Sequence, residues 1–238
     1  MRTVAIILAG GIGSRFGGEQ PKQFLDLNGK PVIVHTVEKF QENNLIDDVL
    51  IVCVKDWQNH LQNLMEKYEL SKVKWIVEGG ATSHDSTRNG IFFLRNILSD
   101  DDYIVIHDAA RPILPQKAID NMLETAKKHG NASLAIPCHE TLIITDNQKS
   151  GVEQMDRNRV MRIQTPQAYK YGPILKLYEK AEQENKHDFI YADIVAINYG
   201  MPVYFSKGFT NNIKITRQED IPLCKSLMKF SEDELFNS

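Results

Sequence analysis

Short apolar runs rich in β-branched residues recur along the first half of the chain, and polar or turn-forming residues bound each of them. Runs of this kind are typical of strands that are buried on both faces of a sheet. The five runs, at residues 3–8, 49–54, 73–77, 103–106 and 132–136, are therefore predicted to be strands.

The stretches between these runs have apolar positions three and four residues apart, which indicates amphipathic helices. These helices are predicted at 31–41, 57–68, 85–98 and 116–129. Strands that alternate with helices predict an α/β fold, a Rossmann-like and mostly parallel sheet flanked by helices on both faces. In such sheets, ligands bind beyond the carboxyl ends of the strands.

The alternation is interrupted near Cys138, where two extended stretches follow each other around a polar turn. We expect residues 139–162 to form a β-hairpin arm inserted in a single domain, 1–238. Two apolar strands with no helix between them need a partner to cover them, which favours an arm over the alternative of a plain edge hairpin. Beyond the arm, the pattern predicts helices at 173–184, 192–198 and 218–230, and strands at 203–205 and 213–215.

Composition narrows the class of protein without naming its function. The 238 residues are 42% hydrophobic and 25% charged, as in ordinary globular domains. A net charge of −3 gives no reason to expect nucleic acid or a membrane surface as a partner. Cys53, Cys138 and Cys224 are far apart and odd in number, which favours free thiols in a reducing cytoplasm.

The loop after the first predicted strand carries the strongest chemical signal. Gly10, Gly11 and Gly13 let backbone N–H groups come close to an anion, and Arg15 and Lys22 add two cations. An arginine fork and a lysine point charge together suit a polyphosphate. The pattern therefore predicts nucleotide binding and transfer chemistry at phosphorus.

Two common glycine-rich loops fit this segment poorly. A P-loop closes with Gly-Lys-Ser/Thr, but Glu19 follows Gly18 here. The dinucleotide fingerprint places its third glycine where Phe16 stands, and Lys55 follows the second strand where an acid is expected. A nicotinamide-dependent oxidoreductase is thus only a weak alternative.

The ordered motifs of the whole chain resemble the cytidylyltransferases that act on polyol phosphates. This family includes the enzymes for 2-C-methyl-D-erythritol 4-phosphate and for ribitol 5-phosphate. The resemblance rests on Leu8-Ala9-Gly10-Gly11 with Arg15, Pro21-Lys22-Gln23-Phe24, Gly79-Gly80, Asp85-Ser86, His107 to Pro112, Thr141, Arg157, Gln164 to Gln167 and Asn212 to Thr216.

This resemblance implies a role for each matching residue. It implies that the residues in contact with CTP are Leu8, Ala9, Gly10, Gly11, Gly13, Gly79, Gly80, Asp85, Ser86 and Ala109. Catalysis falls to Arg15, Lys22 and Lys214, and binding of the second substrate to Arg111, Thr141, Arg157 and Lys214. A helix N-cap near Ser83 is a competing explanation for the residues around Gly80. The family's arm also implies a homodimer, in which Arg157 could serve the neighbouring subunit.

Asp108 is the best candidate for a metal ligand. It follows a buried strand, where a carboxylate is costly unless it is paired or bound to a metal. Mg²⁺ usually takes one or two carboxylates together with substrate phosphates, so we expect Mg²⁺ with CTP at this position. A simple salt bridge to Arg111 is the alternative, and His107 is expected to be structural.

Three positions depart from the family pattern. Ser83-His84 stand where the family usually has an arginine, Tyr191 stands near its usual Thr/Ser-Asp pair, and Asn211 replaces the acid of the methylerythritol enzymes. The seven-residue spacing from Arg15 to Lys22 nevertheless favours methylerythritol phosphate over ribitol 5-phosphate as the acceptor. A nucleotide-binding module that has lost catalysis is a third, different class of function.

Overall fold

The computed structural model describes residues 1–11 and 20–237, so Gly13 and Arg15 lie outside the described residues. The strands are β1 Thr3–Ala9, β2 Asp26–Leu27, β3 Lys30–Pro31, β4 Asp48–Cys53, β5 Val73–Glu78, β6 Tyr103–Asp108, β7 Asn131–Pro137, β8 Leu142–Ile144, β9 Glu153–Met155, β10 Met161–Lys170 and β11 Phe205–Lys207. The α-helices are α1 Val32–Glu42, α2 Gln58–Lys67, α3 Ser83–Phe93, α4 Gln116–His129, α5 Tyr171–Gln183, α6 Ala192–Asn198, α7 Asp220–Leu227 and α8 Glu232–Asn237.

A seven-stranded sheet forms the centre of the fold, in the order β11-β7-β10-β6-β1-β4-β5. Every pairing in this sheet is parallel except those of β10, which runs antiparallel to both β6 and β7. The carboxyl ends of β1, β4, β5 and β6 therefore meet at one edge of the sheet. This arrangement confirms the predicted α/β class.

Helices cover both faces of the sheet because their apolar stripes match its buried faces. On one face, Phe40 of α1, Leu61 of α2 and Met122 of α4 pack into a core with β1 and β4. On the other face, Ile91 of α3 and Val195 of α6 pack with Ile6 and Ile104. Both cores are closed to solvent, so the sheet is a rigid platform for its edge.

Three elements near the end of the chain differ from the sequence-based predictions. Residues 213–215 do not form a strand and pair with no strand of the sheet. Ile215 N–H instead donates a hydrogen bond to the Ala110 carbonyl. The strand expected at 203–205 lies two residues later. The helix predicted at 218–230 is the shorter α7, and α8 follows as an element that was not predicted.

Strand β10 was missed by the sequence analysis. Gln164, Thr165, Pro166 and Gln167 give its centre a polar composition with a proline, which is unusual in a central strand. The pairing with β7 shifts in register between Ile163 and Gln167 and accommodates this stretch.

The predicted hairpin arm is present, with strands of only three residues each. Leu142 pairs with Met155 and Ile144 with Glu153, in a small sheet separate from the main one. Its apolar side chains are exposed, Ile143 by 61% and Val152 by 60%. Among the described residues, no helix is long and apolar enough to cross a membrane.

Candidate active site

The ends of four parallel strands open into one cleft of about 690 Å³. Its lining contains ten of the residues singled out from the sequence: Leu8, Gly10, Gly11, Lys22, Gly79, Gly80, Ser86, Asp108, Ala109 and Lys214. These residues come from segments that are far apart in the chain. Gly10 and Gly11 after β1 and Asp108 at the end of β6 therefore line one cleft.

Close backbone contacts build one corner of the cleft. A Cβ atom at Gly10 would lie 2.7 Å from Ser86 Oγ, and one at Gly79 would lie 3.2 Å from Gly10 Cα. A Cβ atom at Gly80 would lie only 2.1 Å from Asp85 Cβ. Position 80 must therefore be glycine for the turn to pack against α3. The corner also offers backbone groups that a ligand can approach closely.

Helix α3 begins at this corner with a capping box. Thr82 Oγ1 accepts from Asp85 N–H at 3.1 Å, and Asp85 Oδ2 accepts from Thr82 N–H at 3.1 Å. Burial would raise the pKa of Asp85, but these hydrogen bonds and Arg88 outweigh it and lower the pKa. Asp85 therefore caps helix α3 and is not part of the cleft lining. This agrees with the competing explanation, a helix N-cap near Ser83.

Ser86 belongs to the same corner and does face the cleft. Its Oγ accepts a hydrogen bond from Gly80 N–H at 3.1 Å. The hydroxyl thus orients the Gly79-Gly80 turn against the first turn of α3.

Gln23 fixes the start of the glycine loop, a role that the sequence analysis did not assign. Its Nε2 donates to the Ala9 carbonyl at 2.7 Å and to the Gly11 carbonyl at 3.1 Å. The side chain is buried within the short 3-10 helix Lys22–Phe24. Holding Gln23 in this way places the neighbouring Lys22 at the cleft.

A buried carboxylate between two cations forms the opposite end of the cleft. Asp108 Oδ1 lies 3.0 Å from Lys214 Nζ, and Asp108 Oδ2 lies 3.0 Å from Arg111 Nε. Burial would raise the pKa of Asp108, but Lys214 and Arg111 hold it at about 2. The carboxylate is thus ionised at neutral pH, and the salt bridge anticipated with Arg111 is formed.

The segment that carries Lys214 is fastened at several points. Asn212 Nδ2 donates to the Thr165 carbonyl at 2.8 Å, and Arg111 Nη1 donates to the Asn212 carbonyl at 2.7 Å. Thr216 N–H donates to Asp220 Oδ2 at 2.6 Å. These bonds hold the Lys214 ammonium over the end of β6.

His107 is a buried structural residue, as expected. Its Nε2 lies 3.0 Å from the Arg111 carbonyl, and its ring packs against Phe40. Burial lowers the pKa of His107 to about 4, so the imidazole is neutral at pH 7. The side chain supports the turn between Asp108 and Arg111.

The cleft of the same chain is not lined by five of the described candidate residues: Ala9, Asp85, Arg111, Thr141 and Arg157. Arg111 lies beneath it, paired with Asp108. Thr141 and Arg157 lie on the exposed arm, where Arg157 Nη1 donates to the His139 carbonyl at 3.0 Å.

The cleft also contains side chains that the sequence analysis did not propose for the site. Lys55 and Glu78 extend from β4 and β5, and their charged groups lie 4.0 Å apart. Tyr191 and Thr216 also line the cleft. The sequence could have indicated Lys55 and Glu78 as site residues, because both lie at strand or helix ends. The place of Tyr191 in the cleft depends on the packing of α6, which the sequence does not show.

Residues 3–229 match the family model described as IspD, 2-C-methyl-D-erythritol 4-phosphate cytidylyltransferase. The chain belongs to this family. It is therefore a cytidylyltransferase, a nucleotidyltransferase that uses CTP, and the oxidoreductase alternative is wrong.

Relatives of both anticipated kinds are similar to this cytidylyltransferase. The ribitol-5-phosphate cytidylyltransferase of Lacticaseibacillus paracasei is 35% identical, with 96% of this chain and 98% of the relative covered. The 2-C-methyl-D-erythritol 4-phosphate cytidylyltransferase of Clostridium novyi is 34% identical, with 96% and 97% covered. The crystal structure of the Francisella tularensis IspD superposes with a TM-score of 0.81 at 27% identity, over 95% of this chain and 99% of that one.

The tight corner of this cytidylyltransferase gives a prediction for Gly80. We expect Gly80→Ala to destabilise the fold by about 1–3 kcal/mol, because the added Cβ collides with Asp85. Gly11→Ala is the matched control for stability, since a Cβ there meets no atom of the described residues within 4 Å. Thermal unfolding of the two variants, followed by CTP titration, measures the effect. Equal melting temperatures would contradict the packing argument.

The buried imidazole gives a pH prediction. The unfolded chain protonates His107 near pH 6.5, whereas the folded protein does so only near pH 4. Stability is therefore present above pH 6.5 and is lost as the pH falls from 6.5 to 4, by at most about 3 kcal/mol. Asp108, with its lowered pKa, adds a loss only below about pH 4.

Urea unfolding at pH 6.5, 5.5 and 4.5 checks this dependence. His107→Gln should flatten the slope, and the remaining slope should come from His35 and His84, whose pKa values burial also lowers. A His107→Gln variant with the wild-type slope would show that another group is responsible.

Proposed function

We propose that the enzyme transfers CMP from CTP to D-ribitol 5-phosphate and releases pyrophosphate. The observation that carries the proposal is the cleft itself, in which a glycine-lined corner and the Asp108–Lys214 pair face one space. An acceptor phosphate and a triphosphate can both be placed between them.

The reaction needs positioning and charge compensation more than it needs a base. An oxygen of the acceptor phosphate attacks the α-phosphorus of CTP, a new P–O bond forms, and the bond to the β-phosphate breaks as pyrophosphate leaves with the electron pair. A phosphate monoester is already largely dianionic at pH 7, because its second pKa is about 6. The site must hold two anions in line and offset their growing charge.

The described cations are arranged for that task. Lys22 lies beside the glycine corner, where it suits the triphosphate of CTP. Lys214 lies near the end of β6, with its side chain 31% exposed toward the cleft, where it suits the acceptor phosphate. We assign Arg15 to the triphosphate as well, from the motif alone, since it lies outside the described residues.

Asp108 also fits the Mg²⁺ that we propose as cofactor. Its carboxylate is ionised and uses one contact on each oxygen, which leaves lone pairs free for a metal. The described residues contain no cluster of three acidic, histidine or cysteine ligands, so phosphate oxygens and water would complete the coordination. Mg²⁺ bound there would supply charge neutralisation on the triphosphate.

We further propose a homodimer in which the arm of each subunit reaches the other's cleft. The arm leaves the sheet between the carboxyl end of β7 and the amino end of β10, which is the cleft edge. Thr141 and Arg157 are exposed on it, beside the exposed Ile143 and Val152. These side chains would gain burial and a phosphate partner in such a dimer.

Two observations favour D-ribitol 5-phosphate as acceptor. The Lacticaseibacillus relative of that name is similar over nearly the whole chain. Asn211 also stands where the methylerythritol enzymes usually carry an acid. The family model and the Clostridium relative support 2-C-methyl-D-erythritol 4-phosphate as the second candidate. CTP supply and the three free cysteines favour the cytoplasm.

Pyrophosphate release with CTP and Mg²⁺ tests the proposal directly. Each acceptor is supplied separately: D-ribitol 5-phosphate, 2-C-methyl-D-erythritol 4-phosphate and glycerol 3-phosphate. The highest kcat/KM with ribitol phosphate supports the proposal, and the highest with methylerythritol phosphate replaces its acceptor. Binding of CTP without turnover of any acceptor would favour the non-catalytic module.

Lys22 gives a prediction that separates catalysis from binding. We expect Lys22→Ala to lower kcat by about 100- to 1,000-fold, because a cation that stabilises the transition state acts mainly on rate. The affinity for CTP, measured by calorimetry, should fall much less. Lys67→Ala, which removes an exposed lysine at the end of α2, is the control. Equal losses in rate and affinity for Lys22→Ala would contradict a transition-state role.

A further inference from the structure

Tyr191 is the one aromatic side chain among the described residues that line the cleft. It is half-buried and directly precedes helix α6. Its hydroxyl makes no hydrogen bond to another described residue, and Lys214 and Thr216 line the same cleft. A phenol offers both a hydrogen-bonding group and an apolar ring face.

A buried carboxylate holds the start of helix α6, which directly follows Tyr191. Asp193, two residues later, accepts from Ser133 Oγ at 2.6 Å, from Gln167 Nε2 at 2.8 Å and from the Tyr169 hydroxyl. These partners lie on β7 and β10, on the far side of β6 from the glycine corner. The start of α6 is therefore anchored over the half of the sheet that lies beyond Asp108.

An aromatic cluster holds the segment that precedes Tyr191. Phe189 packs on His84 with ring centroids 5.3 Å apart, and His84 stacks on Tyr178 at 5.2 Å. His84 is 2% exposed in the first turn of α3. The segment before Tyr191 is thus joined to the helix that forms the glycine corner.

We propose that Tyr191 contacts the polyol chain of the acceptor and determines which polyol phosphate is used. This inference rests on the proposed function. A polyol presents hydroxyl groups and C–H faces without charge, and the Tyr191 hydroxyl and ring complement both. Lys214 lines the same cleft and takes the phosphate, so the two side chains would contact the two ends of the acceptor. The segments before and after Tyr191 are both held in place, so its side chain is a fixed part of the cleft lining. It would exclude a polyol of different length or branching.

The test compares Tyr191→Phe and Tyr191→Thr with the wild type. Threonine is a favourable N-cap residue, so its backbone position at the start of α6 is tolerated. Tyr199→Phe is the control, because it removes a hydroxyl at the other end of α6, where Tyr199 bonds Glu184. For each variant, KM for CTP, KM for each acceptor and the ratio of kcat/KM between ribitol 5-phosphate and methylerythritol 4-phosphate are measured, along with the melting temperature.

We expect Tyr191→Phe to raise KM for the preferred acceptor by about 3- to 10-fold, with KM for CTP unchanged, as for the loss of one hydrogen bond. Tyr191→Thr should also bring the acceptor ratio closer to one. A rise in KM for CTP instead, or an unchanged acceptor ratio in a folded Tyr191→Thr, would overturn the inference alone. Failure of the wild type to use any polyol phosphate would overturn the proposed function and this inference with it.

Discussion

The ion pairs of Asp108 are the interaction on which the cleft depends. A carboxylate at the end of a buried strand is tolerable only because Lys214 and Arg111 compensate its charge. The same contacts attach residues 212–216, which have no place in the sheet, to the end of β6. The position of Lys214 is therefore set by electrostatics and hydrogen bonds instead of by secondary structure. An anionic ligand that approaches Lys214 meets a cation already held in place.

The opposite corner depends on the absence of side chains. Gly10 and Gly79 bring the turns after β1 and β5 within contact of each other, and Ser86 closes the gap from α3. One end of the cleft is thus built from backbone and the other from charge. This division suits the placement that we propose, with CTP at the glycine corner beside Lys22 and the acceptor phosphate beside Lys214.

Much of this arrangement could be predicted because strand ends and residue types are local signals. The sequence alone identified seven described residues that share one cleft: Gly10, Gly11, Gly79, Gly80, Lys22, Asp108 and Lys214. Gln23 was not assigned a role, since its partners are backbone carbonyls that no pattern of side chains reveals. Asp193 lies near the family's usual Thr/Ser-Asp pair, but it accepts hydrogen bonds from three buried donors on β7 and β10, which the sequence did not indicate. β10 itself was invisible because its polar centre contradicts strand propensity, and tertiary pairing overrides that propensity.

The antiparallel orientation of β10 has a consequence for how the molecule can change. Because β7 and β10 are antiparallel neighbours, the whole arm is a long loop between two paired strands. A parallel pair would require a crossover of fixed geometry, whereas this connection can be lengthened or rebuilt with little effect on register. The length and sequence of the arm can therefore diversify independently of the chemistry at the sheet edge.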